Sequence, residues 1–415
     1  MARAKKSEEG GSAALAGAIN PLDACTAFLK KKKGKEFTDI MVAMDDDTVK
    51  ESLPHISSGS IVIDHLIGGE KNTFGVSPCP GFPRCKVTQI WGHESAGKTT
   101  LCLEAVAQCC ADGGTAVYID WENDIVPDYA AALGVPITDP SKFILLQPDT
   151  LEDGIKYAMA YATAGVDLII FDSVGAAVPR RIAERDALEV AEQGKVAELQ
   201  SVWSQELPNI KGTIARSGSA VVGISQIRST LATMPGAKKT QPQGGNGWKF
   251  YAAVRLELRR VKNEKAREYN DLTHKTDERV VGGIIMAKTV KCKVSRSQGR
   301  EEIFYIRWGE GIDNVRTIIE IAKAHGIIKG SSWMTWADCP GKPLKIQGAE
   351  KLRKHFLENP DHFEVLKARV MPFLGAGTAD HFTDEVEDDA DGDLHAIFDE
   401  PKKSKVSDLN GDGDE

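Results

Sequence analysis

Apolar residues along this chain gather in short unbroken runs, and amphipathic stretches of helical length lie between them. VTQIW (87–91), TAVYID (115–120), KFILLQ (142–147), DLIIFD (167–172) and SAVVGIS (219–225) are each too short for a helix and lack a polar alternate position. Such runs fit strands covered on both faces. TTLCLEAVAQCCAD (99–112), VPDYAAALGV (126–135) and GIKYAMAYATAG (154–165) are the intervening helices, and AAVRLELRR (252–260) is a later strand. Strands that alternate with helices predict an α/β body around a mostly parallel sheet. Ahead of it, residues 1–19 are small and polar. Pro21 and Asp23 then open a helix that runs to Lys33 and stops at Gly34. The chain contains no internal repeat.

The length of 415 residues suggests two or three domains with a sizeable core. Apolar residues at 41% and charged residues at 27% are ordinary for a soluble protein. No apolar run is long enough to span a bilayer, and MARAKKSEEGG lacks the apolar segment of a secretory signal. Eight cysteines form no framework; Cys102 and Cys292 sit in apolar runs, and the usage fits a reducing cytoplasm. Cys79 and Cys85 in CPGFPRC have no second pair to complete a zinc site, so a Pro/Gly loop with two thiols is the better reading.

The net charge of −8 argues at first against a nucleic-acid partner. Its distribution changes that. Residues 381–415 hold thirteen Asp/Glu against three Lys, which leaves the body close to neutral. The Gly/Asp-rich end cannot bury enough apolar surface to fold. It is either a solubilising tail or an electrostatic competitor of DNA for a basic surface. The KKKKGK run at 30–35 reads first as a solvated helix end and second as a phosphate contact.

Chemistry enters at WGHESAGKTT. Gly92, His93, Glu94, Ser95, Ala96, Gly97, Lys98 and Thr99 satisfy G-x-x-x-x-G-K-[ST] between a strand and a helix, where a phosphate cradle must lie. Backbone N–H groups and the helix N-terminus wrap the phosphates, Lys98 reaches the β- and γ-phosphates, and Thr99 offers its hydroxyl to Mg²⁺. Asp172 ends an apolar strand and suits the same metal ion. Glu122 in YIDWEND could orient the attacking water, with Asp120 and Asp124 as rivals. No N-K-x-D guanine reader is present. The long Gly/Pro/Lys segment after Ser225–Gln226 is a candidate mobile loop; Gln226 could sense the γ-phosphate, and Arg228, Lys238 and Lys239 suit a strand's backbone.

SQIR, QGGNGWKFYAAVRLELRR, GHESAGKTT, YIDWEND and the Asp172 strand together resemble the RecA recombinase family. The resemblance runs from ISSGSIVIDHLIGG (56–69) to WGEGIDN (308–314), more loosely through GIIKGSSWMTW and AEKLRKHF, and includes the acidic tail. It implies a P-loop core of RecA type with an N-terminal oligomerisation helix, a small α+β C-terminal domain and a disordered tail. The corresponding boundaries are 1–55, 56–314, 315–375 and 376–415. It implies a DNA-dependent ATPase that forms filaments on single-stranded DNA and exchanges it with homologous duplex DNA. Glu122 becomes the catalytic carboxylate and Gln226 the switch. Gly244, Gly245 and Asn246 contact the strand with Arg228 and Ser201. Thr100 and Tyr129 join the ATP site, and Tyr129 stacks on adenine. Phe250 packs into the next subunit. Lys291 and Lys293 reach across that interface to the γ-phosphate.

Four departures stand out. They are the NTFGVSPCPGFPRC insertion (72–85), Val126 where an adenine-reading acid is expected (Asp128 is the substitute), the 180–195 segment in place of the first DNA loop, and NEKAREYNDLTHKTDERV (263–280). Glu198 and Gln205 also stand where basic residues are expected. A ring helicase and a non-catalytic coating protein are the rival functions. The paired lysines and the N-terminal arm weigh against the first, Glu122 and Thr99 against the second.

Overall fold

The computed structural model describes residues 51–184, 192–229, 240–270 and 275–374; for 192–193, 228–229, 240, 267–270 and 275–277 it describes the backbone alone. The expected arm helix at 21–33, the acidic tail, Lys238 and Lys239 lie outside these residues, and the side chain of Arg228 is not described. The described fold belongs to the unit Ser52–Glu415.

β1 (His55–Ile56) precedes α1 (Ile61–Gly68), which starts where the side chain of Ser60 accepts the N–H of Ile63. β2 (Phe82–Pro83) pairs antiparallel with β1. The alternating series follows as β3 (Val87–Gly92), α2 (Lys98–Ala111), β4 (Ala116–Asp120), α3 (Pro127–Ala132), β5 (Phe143–Leu146), α4 (Leu151–Thr163) and β6 (Leu168–Asp172). α5 (Arg180–Ala183), α6 (Glu192–Ser217), β7 (Ala220–Ser229), β8 (Thr240–Pro242) and α7 (Asn246–Tyr251) come next. β9 (Val254–Asn270), β10 (Lys275–Cys292), β11 (Glu301–Arg307) and β12 (Gly311–Ile312) complete the sheet. Beyond it lie α8 (Asn314–Ala324), the hairpin β13 (Trp333–Trp336) and β14 (Leu344–Gln347), α9 (Ala349–Glu358) and α10 (Pro360–Val370).

The sheet order is β12-β11-β10-β9-β3-β7-β6-β4-β5, with β8 appended to β7. From β5 to β9 every neighbouring pair is parallel; from β9 to β12 every pair is antiparallel. The predicted mostly parallel sheet is therefore present, with an antiparallel meander on one edge. The central parallel strands β4, β6 and β7 are buried on both sides because alternate residues enter different cores. Tyr118, Ile170 and Val222 pack on the α2 side, whereas Val117, Ile119, Ile169, Phe171 and Val221 pack on the α4 and α6 side. That double burial removes the polar alternation that would otherwise mark a strand.

The C-terminal elements share the α2-side core through Leu352, Phe356, Leu366 and Val370. Within the 72–85 insertion, Asn72 Oδ1 accepts the N–H groups of Phe74 (3.0 Å) and Val76 (3.1 Å), and the chain then returns to form β2. Cys79 is fully buried there, and burial pushes its thiol up to about 12. The seven described cysteines are all free, and no group of three His, Cys, Asp or Glu among the described residues could hold a metal. Of the pair in CPGFPRC, Cys79 is buried and Cys85 is half-buried. The 263–280 insertion lengthens β9 and β10, pairing Asn263 with Gly283 and, in its backbone, Asn270 with Lys275.

Candidate functional site

β3, β4, β6 and β7 all end at one edge of the sheet, and their C-terminal residues build a cleft of about 440 Å³. The cradle after β3 is tightly confined. A Cβ on Gly92 would lie 2.1 Å from the carbonyl oxygen of Leu258, so no other residue fits without moving β9. Gly97 stands at φ +79, where a Cβ would also meet Ile306 Cδ1 at 2.2 Å. Lys98 opens α2, and its ammonium donates to the carbonyls of Gly92 (3.1 Å) and His93 (2.7 Å). Burial pulls its pKa below the usual lysine range, and the charges of Asp172, Glu122 and Glu94 oppose that pull. It is a partly desolvated cation aimed into its own loop.

Asp172 ends β6 and is almost wholly buried. Its Oδ2 accepts from Thr99 Oγ1 (3.0 Å) and from Tyr118 OH (2.6 Å). Burial raises its pKa to about 6 despite the two hydroxyls. A hydroxyl and a carboxylate oxygen, side by side in a site that penalises an unpaired anion, are the hard donors that Mg²⁺ prefers. The donor set fits that ion.

The three acids after β4 separate by their bonds. Asp120 is buried and accepts the N–H groups of Glu122 (3.0 Å), Asn123 (2.9 Å) and Ile125 (3.4 Å), so it folds the turn. Asp124 is exposed at the cleft. Glu122 faces the cleft, and its Oε1 accepts from Gln226 Nε2 at 2.9 Å and from Ser173 Oγ. Tyr129 lines the cleft, with its hydroxyl 3.0 Å from Thr100 Oγ1. Glu94, Ser95, Gly97, Lys98 and Thr99 also line it; Gly92, His93 and Ala96 shape the loop behind them.

Gln226 joins two regions. Its side chain reaches Glu122, while its main-chain carbonyl accepts the N–H of Gln243 (2.9 Å). β7 pairs with β8 through Arg228 and Gln241, so the two strands run side by side just beyond Gln226. Gly244 and Gly245 follow at φ +93 and +79, leading directly into Asn246 and α7. Ser201 is exposed on α6 and accepts from Gln205 Nε2 at 3.1 Å.

Phe250 is 67% exposed, and beside it Lys291 Nζ donates to the carbonyls of Lys249 (2.9 Å) and Phe250 (3.1 Å) at the end of α7. Neither Lys291 nor Lys293 lines the cleft of its own chain. Burial and the nearby charges of Lys293, Arg255 and Lys211 lower the Lys291 pKa to about 8.

The sequence did not single out Arg260, Ile285 and Trp308, which line the cleft from the antiparallel edge, nor the buried Ser173 behind it, whose hydroxyl holds Glu122. Trp308 is 54% exposed. WGEGIDN only marked the far limit of the family resemblance, and the sheet order reveals that β11 ends over the cradle.

A phosphate cradle with a metal-suited carboxylate and a cleft-facing glutamate, at one edge of such a sheet, defines a P-loop nucleoside triphosphatase. The RecA N-terminal domain family matches residues 21–313. Protein RecA of Lactiplantibacillus plantarum is 35% identical over 362 residues, covering 87% of each chain. Protein RecA of Laribacter hongkongensis is 34% identical over 380 residues, covering 91% of this chain and 98% of its own. Protein RecA of Corynebacterium glutamicum (strain R) is 34% identical over 370 residues, covering 89% of each. The chain belongs to the RecA family, and is an ATP-dependent recombinase of DNA strand exchange with DNA-dependent ATPase activity.

Proposed function

We propose that this chain polymerises as a helical filament on single-stranded DNA with ATP and Mg²⁺, pairs that strand with homologous duplex DNA, and releases it after hydrolysis. The observation that carries this reading is Gln226, bonded at once to the carboxylate beside the phosphate cradle and to the backbone of the QGGN segment. A change at the γ-phosphate that moves one of these bonds moves the other. Glu122 orients the water, and Lys98 binds the β- and γ-phosphates. Thr99 and Asp172 hold the metal ion, and Tyr129 offers a ring to adenine. Mg²⁺, held by Thr99 and Asp172, would supply charge neutralisation to the phosphates. Gly244, Gly245, Asn246, Arg228 and Ser201 take the strand by its phosphates, so binding is independent of sequence.

Phe250 and Lys291 form one surface outside the cleft, which suits contact with the next subunit; Lys291 and Lys293 then complete its ATP site. The segment 1–55 carries the polymerisation arm, 56–314 the ATPase core, 315–375 the C-terminal domain and 376–415 the acidic tail. Free core thiols favour a cytoplasmic location, and among the described residues no helix is long and apolar enough to cross a membrane. Electron microscopy with single-stranded DNA and a slowly hydrolysed ATP analogue should show helical filaments. Protein that stays monomeric under those conditions refutes the proposal.

Two variants probe the parts. Thr99→Val should weaken Mg²⁺-dependent ATP binding by roughly ten- to hundredfold while metal-free binding changes little, as fluorescent-nucleotide titration would reveal. For Lys291 the charged form binds the anion, so the contact is complete below about pH 8 and fades as pH rises through that value. Analogue-supported assembly should therefore weaken in mildly alkaline buffer. Lys291→Arg, whose guanidinium stays charged, should hold its assembly steady over the same pH range in light scattering.

A further inference from the structure

We infer that Ser173 is a positioning residue for hydrolysis, holding the carboxylate of Glu122 in place through the state in which Gln226 lets go of it. The inference rests on the reading of Glu122 as the water-orienting group.

The geometry begins in the sheet. Asp120 of β4 pairs with Asp172 of β6, and one residue later the N–H of Trp121 still donates to the carbonyl of Asp172 (2.7 Å). The two strands are thus joined past their nominal ends, and the next residues, Glu122 and Ser173, are brought side by side. Glu122 sits on an irregular turn, followed by Asn123 at φ +57, and its side chain has several rotatable bonds. Holding such a side chain in one direction costs entropy unless something fixes it. Two donors do so, Ser173 Oγ and Gln226 Nε2, and both bind Oε1. No bond among the described residues falls on Oε2, which remains the oxygen able to accept from a water.

The two donors are not equivalent. Gln226 carries a long side chain on β7, beside the pairing of that strand with β8, and its amide is the group proposed to turn toward a γ-phosphate. Ser173 has a short side chain, is 1% exposed, and follows a residue fixed by Tyr118 and Thr99. An ionised carboxylate accepts only, so the serine hydroxyl must donate, and Glu122 is the one acceptor this hydroxyl has among the described residues. When Gln226 moves to the phosphate, Ser173 alone keeps Oε1 occupied and Oε2 directed at the water.

The test uses the full-length protein saturated with single-stranded DNA. Ser173→Ala should lower kcat for ATP hydrolysis roughly ten- to hundredfold, the scale of a misplaced catalytic group. KM for ATP, DNA binding with the slowly hydrolysed analogue and melting temperature should stay near wild type. In a Glu122→Gln background, Ser173→Ala should cause no further loss, because the two act as one unit. A wild-type kcat for Ser173→Ala, or an equal further loss in the Glu122→Gln background, overturns the inference. Undiminished hydrolysis in Glu122→Gln alone would instead remove the assignment of the base. Should Ser173→Ala not fold, Ser173→Cys preserves the size but donates weakly; a wild-type kcat there is equally fatal.

Discussion

Replacing Glu122 with glutamine is expected to cut DNA-dependent ATP hydrolysis by about 10² to 10⁴-fold, the usual contribution of a positioned general base. Assembly and pairing should survive. The cradle, Thr99 and Asp172 do not depend on Glu122 for their bonds; Asp172 is held by Tyr118 and Thr99. Glutamine keeps the length of the side chain and an acceptor oxygen for Ser173 and Gln226, but it cannot take a proton from water. Filaments formed with ATP should thus become long-lived, and strand exchange between short homologous DNAs should still occur in ATP. The assay pairs phosphate release with a joint-molecule gel. Loss of pairing together with hydrolysis would mean that Glu122 serves the structure of the site. Unwinding of a forked duplex without homology would point to a helicase.

The second large effect is expected in the α4 and α6 side core. Trp248 is fully buried, with its ring centroid 5.0 Å from Trp203 and 6.4 Å from Phe171. It lies against Gly223, where a Cβ would come within 2.2 Å of the indole. Trp248→Ala should cost about 3–5 kcal/mol of stability, the range for deleting a large aromatic from a packed core. Trp248→Phe should cost much less, because a ring remains and because the buried indole N–H, which has no hydrogen-bond partner among the described residues, is removed. Chemical denaturation of both variants checks the ranking. The alanine variant should also bind single-stranded DNA more weakly, since a Cβ on Gly244 would sit 2.9 Å from this ring. Without it the QGGN backbone loses its floor. Equal stability of the alanine variant and wild type would contradict this packing account.

Much of the site could be read from residue types because the cradle has so few solutions. Gly92 and Gly97 are needed where backbone crowding and a positive φ leave no room for a side chain, and that requirement is visible in the letters. The strands were legible for a related reason, as burial on two faces leaves unbroken apolar runs. The choice among Asp120, Glu122 and Asp124 was not legible in spacing alone and rested on the family resemblance. All three are short-range neighbours of like charge, and only the bonds that tie Asp120 to the turn set it apart from Glu122. The β9–β10 extension was hidden because its residues are mostly charged and lie beyond the main sheet, where no core imposes a pattern. Arg260 and Trp308 reach the cleft through strand order, a long-range property with no local signature. Ser173 was hidden in another way: the conspicuous acid before it drew the reading.

The aromatic cluster also gives the molecule its own optical reporter. Trp121, Trp203 and Trp248 have ring centroids 5.0–6.2 Å apart where neighbours meet, close enough for excitation to pass among them. One end of this chromophore adjoins the glutamate over the cradle, and the other adjoins the glycines before α7. Emission from the unlabelled protein, to which Trp308 at the cleft also contributes, should therefore register both nucleotide and oligonucleotide arrival.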